Sequence, residues 1–275
     1  MKRGSDTRCA GPAADERHVE PAGYGGDGRC TRRGFLQGLG LAAGLLVAPR
    51  NLWGDGASIV TGKRMIDDKN HVFITTARHG RYLAKVVTAC EVLGKTFATT
   101  GEILAATGAF VCFNGSFFEG DGSPSGLYVC DGSYKNRIMY DKGDGILYID
   151  RARQIHVISK YHYAEHKDEV VDALQINLFT EKDLKLYEDK QYKRRVPRNL
   201  FGICPEGIVD VIYKSTNFTL GDRYMRGVHG CTVIGALDGG SSASAVDKLG
   251  RSSYREDRGD RPEAAVANFV ILYEK

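Results

Sequence analysis

Residues 235–242 read GALDGGSS and place one carboxylate, Asp238, at the mouth of a flexible, hydroxyl-rich turn. Glycine tolerates positive φ and lets other groups approach the backbone closely, so Asp238 is expected where a strand ends and a tight turn begins. Such a turn can aim the backbone N–H groups of Gly239 and Gly240, and the hydroxyls of Ser241 and Ser242, at one anion. Two further polar turns carry compatible chemistry. Asn114-Gly115-Ser116 follows the apolar run 109–113 (AFVCF), and Val196-Pro197-Arg198-Asn199 leads into a hairpin. An arginine presents a planar fork of donors to a phosphate, and an asparagine supplies both donor and acceptor. With Asp238 as base or nucleophile, Arg198 and Asn114 complete a set suited to work on an anionic substrate.

These residues must be carried by strands. The segments 71–77 (HVFITTA) and 82–89 (YLAKVVTA) are β-branched runs separated by His79-Gly80, which predicts a hairpin, with an extension of the second as a helix through Leu93 as the alternative. Residues 101–107 read as a short helix stopped by Gly108, and 109–113 as a buried strand. Residues 126–130, 145–150, 154–159 and 173–179 are strand candidates in a meander-like region, with 165–172 a short helix or irregular. Residues 199–204 and 208–213 flank Pro205-Glu206-Gly207, a strong hairpin signal. A short helix is expected over 222–229, a strand over 232–237 running into Asp238, and a closing strand over 265–273. Strands dominate and helices are short, so the expected fold is an α+β single domain with a mixed or antiparallel sheet core.

Composition bounds the function. The chain has 275 residues, 42% hydrophobic and 26% charged, with a net charge of +4. That charge tolerates an anionic substrate but falls short of a nucleic-acid footprint, and no basic stripe with interleaved aromatics is present. The basic cluster at 190–198 reads as a solvated face. Residues 1–56 differ from the rest: a Gly/Ala/Arg/Pro stretch, then Thr31-Arg32-Arg33-Gly34-Phe35-Leu36 and an apolar run over 36–47. Paired arginines before a mildly hydrophobic core resemble a twin-arginine export signal, preceded by a disordered segment. The run is shorter than the roughly 20 residues of a membrane-spanning helix, so a stable span is expected only if the signal stays uncleaved as an anchor. Residues 57–275 form the exported domain, placed in the periplasm or outside the cell. Its five cysteines contain no CxxC pair, so buried thiols are expected, with one or two disulfides open in an oxidising compartment.

The order of NGSFF at 114–118, PSGL at 124–127, VPRNLFGI at 196–203, LDGGSS at 237–242 and VANF at 266–269 resembles the phosphodiester glycosidase family across residues 72–273. The resemblance implies hydrolysis of a sugar-1-phosphodiester. Asn114 matches the asparagine of the family's Asn-Gly-Gly/Ser-Phe-Phe turn, Arg198 its arginine, and Asp238, Gly239, Gly240, Ser241 and Ser242 its Asp-Gly-Gly-Ser-Ser turn. Asn199 stands where the family usually has a hydroxyl, and Ala236 where it often has asparagine. In this reading Arg198 and the turn backbone neutralise the phosphate, while Asp238 attacks the anomeric carbon, activates a water or helps hold a cation. Glu119 and His229 are the candidates for a second acid, base or substrate contact. No cofactor is demanded. A divalent cation is conceivable beside the acidic turns at 119–122 and 141–145, although neither reaches a calcium-loop pattern. The competing reading is a noncatalytic module that binds a glycan or cell-wall polymer, and a third is a cysteine hydrolase using Cys231 with His229.

Overall fold

The computed structural model describes residues 56–67, 70–179, 196–253 and 263–275. The export signal expected before position 56 and most of the basic cluster at 190–198 lie outside them. Among the described residues no helix is long and apolar enough to cross a membrane.

Among the described residues fourteen strands form two sheets, and every ladder between them is antiparallel. The larger sheet contains β1 (Ile59–Asp67), β2 (Asn70–Arg78), β5 (Tyr128–Cys130), β6 (Ser133–Asn136), β7 (Gly145–Asp150), β8 (Ile155–Ser159), β9 (Val170–Leu178), β10 (Val196–Cys204), β11 (Gly207–Thr216) and β12 (Val233–Ala236). Its order is β1-β2-β11-β10-β12-β9-β5-β6, with β7 pairing β9 and β8 pairing β7. The smaller sheet combines β3 (Tyr82–Thr88), β4 (Val111–Asn114), β13 (Ala245–Asp247) and β14 (Asn268–Glu274) in the order β13-β4-β14-β3.

The two sheets face each other across one apolar core, where Phe73, Leu147, Phe201 and Ile208 of the larger sheet meet Val86, Val111, Phe113 and Leu272 of the smaller. Helices cover the outer faces. Helix α1 (Ala89–Leu93) and α2 (Thr100–Thr107) lie on the smaller sheet, where Ile103 packs with Cys112 and Phe269. Each begins with a capping box, Thr88 with Glu91 and Thr99 with Glu102, and each ends on a left-handed glycine. On the larger sheet, α3 (Tyr163–His166) covers Tyr148 and Val170, and α4 (Phe218–His229) lays Phe218 and Met225 over Leu200, Val209 and Ile234. The result is an α+β domain with four layers.

Most expected strands are present, including the hairpin at Pro205-Glu206-Gly207. The hairpin expected at His79-Gly80 is not: β2 pairs with β1 and β11, while β3 pairs with β14 in the other sheet. Both faces of β2 are apolar, and the long register with β11, from Gly207↔Arg78 to Tyr213↔Val72, outcompetes a local partner. Residues 163–170 split into α3 and the start of β9, which begins earlier than the expected 173.

Polar bridges join the sheets at their margins. Thr61 of β1 donates to Asp247 of β13 (2.6 Å), whose carboxylate also holds Arg251 (2.6 Å). Asp172 of β9 accepts the N–H of Val86 in β3 (3.2 Å) and pairs with Arg153 (2.9 Å). Asp210 of β11 is different: it is fully buried, and neither carboxylate oxygen has a hydrogen-bond partner. Burial alone pushes its pKa well above the usual carboxylate range.

Cys204, at the end of β10, is joined to Cys231, just before β12, while Cys90, Cys112 and Cys130 remain thiols. The bridge closes a loop with a sequence separation of 27 and spans the strands that lead to Arg198 and Asp238. It also removes the third reading, since a disulfide sulfur is not a thiolate nucleophile. Replacing both cysteines by alanine is expected to lower the unfolding free energy by about 3.5 kcal/mol, the chain-entropy value for a loop of this size. Urea titration of the oxidised wild type and the double variant measures the difference.

Candidate functional site

The turn after β12 is built around buried amides. Asn114, the last residue of β4, is 1% exposed, and its carboxamide nitrogen donates to the carbonyl of Asp238 (2.8 Å). Its Oδ1 accepts from Asn199 Nδ2 of β10 (2.9 Å) and from the N–H of Ser244 (3.0 Å). The N–H of Asp238 donates to the carbonyl of Gly115 (2.9 Å), and that of Leu237 to Asn199 (3.1 Å). Three segments far apart in sequence therefore meet at one point.

The neighbouring turn is held just as tightly. Gly115 donates to the carbonyl of Asn268 in β14 (2.8 Å), and Ser116 donates through its N–H to Asn268 Oδ1 (2.7 Å) and through its hydroxyl to the carbonyl of Gln175 in β9. A Cβ at position 115 would overlap the Asn268 side chain and come 3.0 Å from its carbonyl, so only glycine fits. Asn199 Oδ1 and Asn268 Nδ2 are buried with no hydrogen-bond partner among the described residues. Orphan groups of this kind are ordinarily met by water or a bound ligand.

Asp238 is half-buried. Burial raises its pKa, opposed by hydrogen bonds from the Ser242 hydroxyl and from the Gly239 N–H, 2.8 Å from Oδ1. Gly240 adopts φ +66°, which turns the chain into the 3-10 turn Gly240–Ser242, and the N–H of Ser242 donates to Gly239 (3.2 Å). The Gly239 N–H expected to face an external anion is thus spent inside the turn, as is that of Ser242. The turn acts as a support for the carboxylate rather than as an open backbone cradle.

Arg198 lies on the helix side of β10, its guanidinium carbon 4.0 Å above the ring centre of Phe218. The same side chain passes the turn, since a Cβ on Gly239 would lie 3.7 Å from Arg198 Cδ. Two expected residues are elsewhere. Glu119 is a surface latch, ion-paired with Lys142 (2.7 Å) and bonded to Ser125, contacts that lower its pKa and keep it charged. That disfavours an acid role. His229 ends α4, about 16 Å along the helix from Phe218 at 1.5 Å per residue. It is 6% exposed, edge-on to Tyr224, and burial followed by the charge of Arg64 brings its pKa down to about 4. The acidic turns at 119–122 and 141–145 gather no cation site: no cluster of three or more His, Cys, Asp or Glu side chains occurs among the described residues.

A shallow cleft, open to solvent, lies beside the turn. Pro197, which precedes Arg198, and Ala243, which follows Ser242, form one side. Phe73 and Ile212 face the inner core, so the period-two alternation puts His71 and Lys214 on their face, and Lys63 stands opposite Phe73. The rim of the cleft is cationic.

The architecture has known counterparts. It matches the catalytic domain of zebrafish N-acetylglucosamine-1-phosphodiester alpha-N-acetylglucosaminidase, auto-inhibited by its pro-peptide, with TM-score 0.59 and 12% identity over 82% of this chain and 86% of that one. The two chains share a fold. A hypothetical protein from Synechocystis matches with TM-score 0.56 and 11% identity over 79% of this chain and 62% of that one. Neither a protein-family model nor a curated protein matches the sequence. At such identities the likeness establishes the fold alone.

Asn199 and Ser116 stood in the polar turns read from sequence without an assigned contact, whereas Gln175 and Asn268, which complete the site, were not singled out, although polar residues inside otherwise apolar strands were the available signal. The raised pKa of Asp238 carries a test. The folded chain binds this proton more tightly than the unfolded chain, so the stabilisation is full below the unfolded value of 3.8 and is lost as pH rises through the folded value. Asp238→Asn lacks that loss. Its stability relative to wild type is therefore expected to rise with pH across that window, and denaturation curves from acid to neutral pH would refute the assignment if the difference were flat.

Proposed function

We propose that the chain hydrolyses sugar-1-phosphodiesters at the Asp238 turn. The observation that carries this reading is the meeting of Asn114, Asn199 and Asp238 in one hydrogen-bonded junction, with the Arg198 side chain crossing Gly239. The fold shared with the zebrafish glucosaminidase domain and the cationic rim of the adjoining cleft support it.

In the proposed reaction a water oxygen forms the new bond to the anomeric carbon. The bond from that carbon to the phosphate oxygen breaks, and its electron pair leaves on the phosphate. Asp238 takes the water proton, or attacks first and is released by water afterwards. A carboxyl whose pKa is raised by burial is a better base than an exposed one. Arg198 offsets the charge that grows on the departing phosphate monoester. Because that leaving group is stable as an anion, the site works without a second acid, in keeping with the positions of Glu119 and His229.

Purified protein incubated with sugar 1-(methyl phosphate) diesters should release reducing sugar. Asp238→Asn should lower kcat/KM by about 100-fold or more, the usual range for loss of a general base. Tight binding without turnover in the wild type would instead favour a glycan-binding module, and unchanged turnover in Asp238→Asn would sink the mechanism.

We also propose that the domain works outside the cytoplasm. The paired arginines at 32–33 ahead of the apolar run support this, as does the Cys204–Cys231 bridge, since disulfides persist in oxidising compartments. Changing Arg32 and Arg33 to lysine should retain the protein in the cytoplasm, read by cell fractionation; unaltered export would reject the signal.

A further inference from the structure

Tyr140 and Tyr161 are the two most exposed large hydrophobic side chains among the described residues, at 70% and 68%. They come from different connections, Tyr140 from the loop between β6 and β7 and Tyr161 from the 3-10 turn after β8, yet their ring centres lie 6.4 Å apart with planes inclined by 37°. Surface loops ordinarily carry such rings singly and loosely. Here both connections are fixed.

The fixing element is a buried cation. Lys160 is 3% exposed, and its ammonium donates to the carbonyls of Tyr140 (2.8 Å) and Lys142 (3.0 Å) and pairs with Asp144 (3.1 Å). It lies 5.4 Å from the centre of the Tyr161 ring and 5.8 Å from that of Tyr140, within cation–π range of both. Burying a lysine is costly unless every proton is met, and here the three partners all belong to the loop that carries Tyr140. Gln175 fastens the same loop from below, donating to the carbonyls of Met139, Lys142 and Gly143 and accepting from the N–H of Met139.

That loop is also continuous with the candidate site. The carbonyl of Gln175 accepts the Ser116 hydroxyl of the Asn114 turn, and Lys142 pairs with Glu119 at the far end of the same turn region.

We propose that Tyr140 and Tyr161 form a preorganised stacking platform for an uncharged sugar ring of a glycan held at the Asp238 turn. The identity of the occupant rests on the sugar-phosphodiester reading. Aromatic faces suit the C–H surface of a pyranose, while the phenol hydroxyls and the half-exposed Asp144 carboxylate supply polar contacts for its rim. A protein partner fits less well. The exposed aliphatic side chains Met65, Leu220 and Leu249 stand on other elements, so the patch lacks the extended apolar area that protein interfaces bury. Rings locked in place before binding lose little freedom on contact, which is where the affinity of a small platform comes from.

The test is affinity electrophoresis of the full chain in native gels containing hydroxyethyl cellulose, soluble starch or glycol chitosan. In parallel, reducing-sugar release is measured from a sugar 1-(methyl phosphate) diester, which carries no further sugar ring to stack on the platform. The wild type should be retarded by at least one polysaccharide. Tyr140→Ala and Tyr161→Ala should each weaken that retardation about tenfold, as expected for loss of one aromatic face, and Tyr→Phe should largely retain it. Turnover of the short diester should stay within about twofold in all of them, because neither ring touches the reacting atoms. Retardation by none of the three polymers, or equal retardation of the Tyr140→Ala/Tyr161→Ala double variant, would overturn the platform. Retardation that depends on the tyrosines in a protein that cleaves no diester would uphold the platform and reject the hydrolase reading.

Discussion

A single buried carboxamide, that of Asn114, sets the geometry on which the rest of the site depends. It is the last residue of a strand in the smaller sheet, and its hydrogen bonds reach β10 through Asn199, the end of β12 through Asp238, and the segment entering β13 through Ser244. Each of those partners is a buried or half-buried group that would lose its bond if the carboxamide were removed, at about 1–3 kcal/mol for each group left unmet. An aspartate could accept but not donate, and a leucine could do neither. The amide is the one side chain of this size that can present a donor to the Asp238 carbonyl and an acceptor to both Asn199 and Ser244.

The apolar core and the polar clasps divide the work between them. Burial between the sheets, with Phe113 and Phe201 at 6.2 Å across the gap, fixes how far apart the sheets lie. It does not fix their relative slide, because apolar contacts are non-directional. Directional bonds at the margins do that: Thr61 to Asp247 at one side, Asp172 to Val86 at another, and the Asn114 junction at the third. The carboxylate of Asp238 rides on the last of these, half-buried and supported by its own turn. A reactive group is thereby aligned by secondary structure on both sides rather than by a loop acting alone.

How far the sequence revealed this depends on which physical signal each residue carried. Strand runs such as 71–77 and 208–213 were legible because their β-branched composition is local, as was α2 from its stop at Gly108. The placement of β2 and β3 in different sheets was not, since partner choice is decided by a register with β11 more than a hundred residues away. The strands β1 and β13 escaped notice because β1 is interrupted by Gly62, Lys63 and Arg64 and β13 is only three residues long. At the site, Asp238 stood out through its glycines, whereas Asn199 read as a departure from the family pattern and proved to be the partner of Asn114. Glu119 and His229 were attractive only as residue types. Their surroundings, a surface ion pair for one and a dry helix end for the other, arise from tertiary packing that no local spacing encodes.

Asn268 adds a dimension of time. It opens β14, and both its carbonyl and its side chain clamp the Asn114 turn, so β4 cannot present that turn correctly until β14 has slotted between β3 and β4. A ribosome that has delivered Asp238 has therefore not yet delivered the strand that locks this turn in place. During synthesis the carboxylate, the arginine and the asparagine exist for a while as unassembled parts, and the late insertion of one strand turns them into a single arrangement.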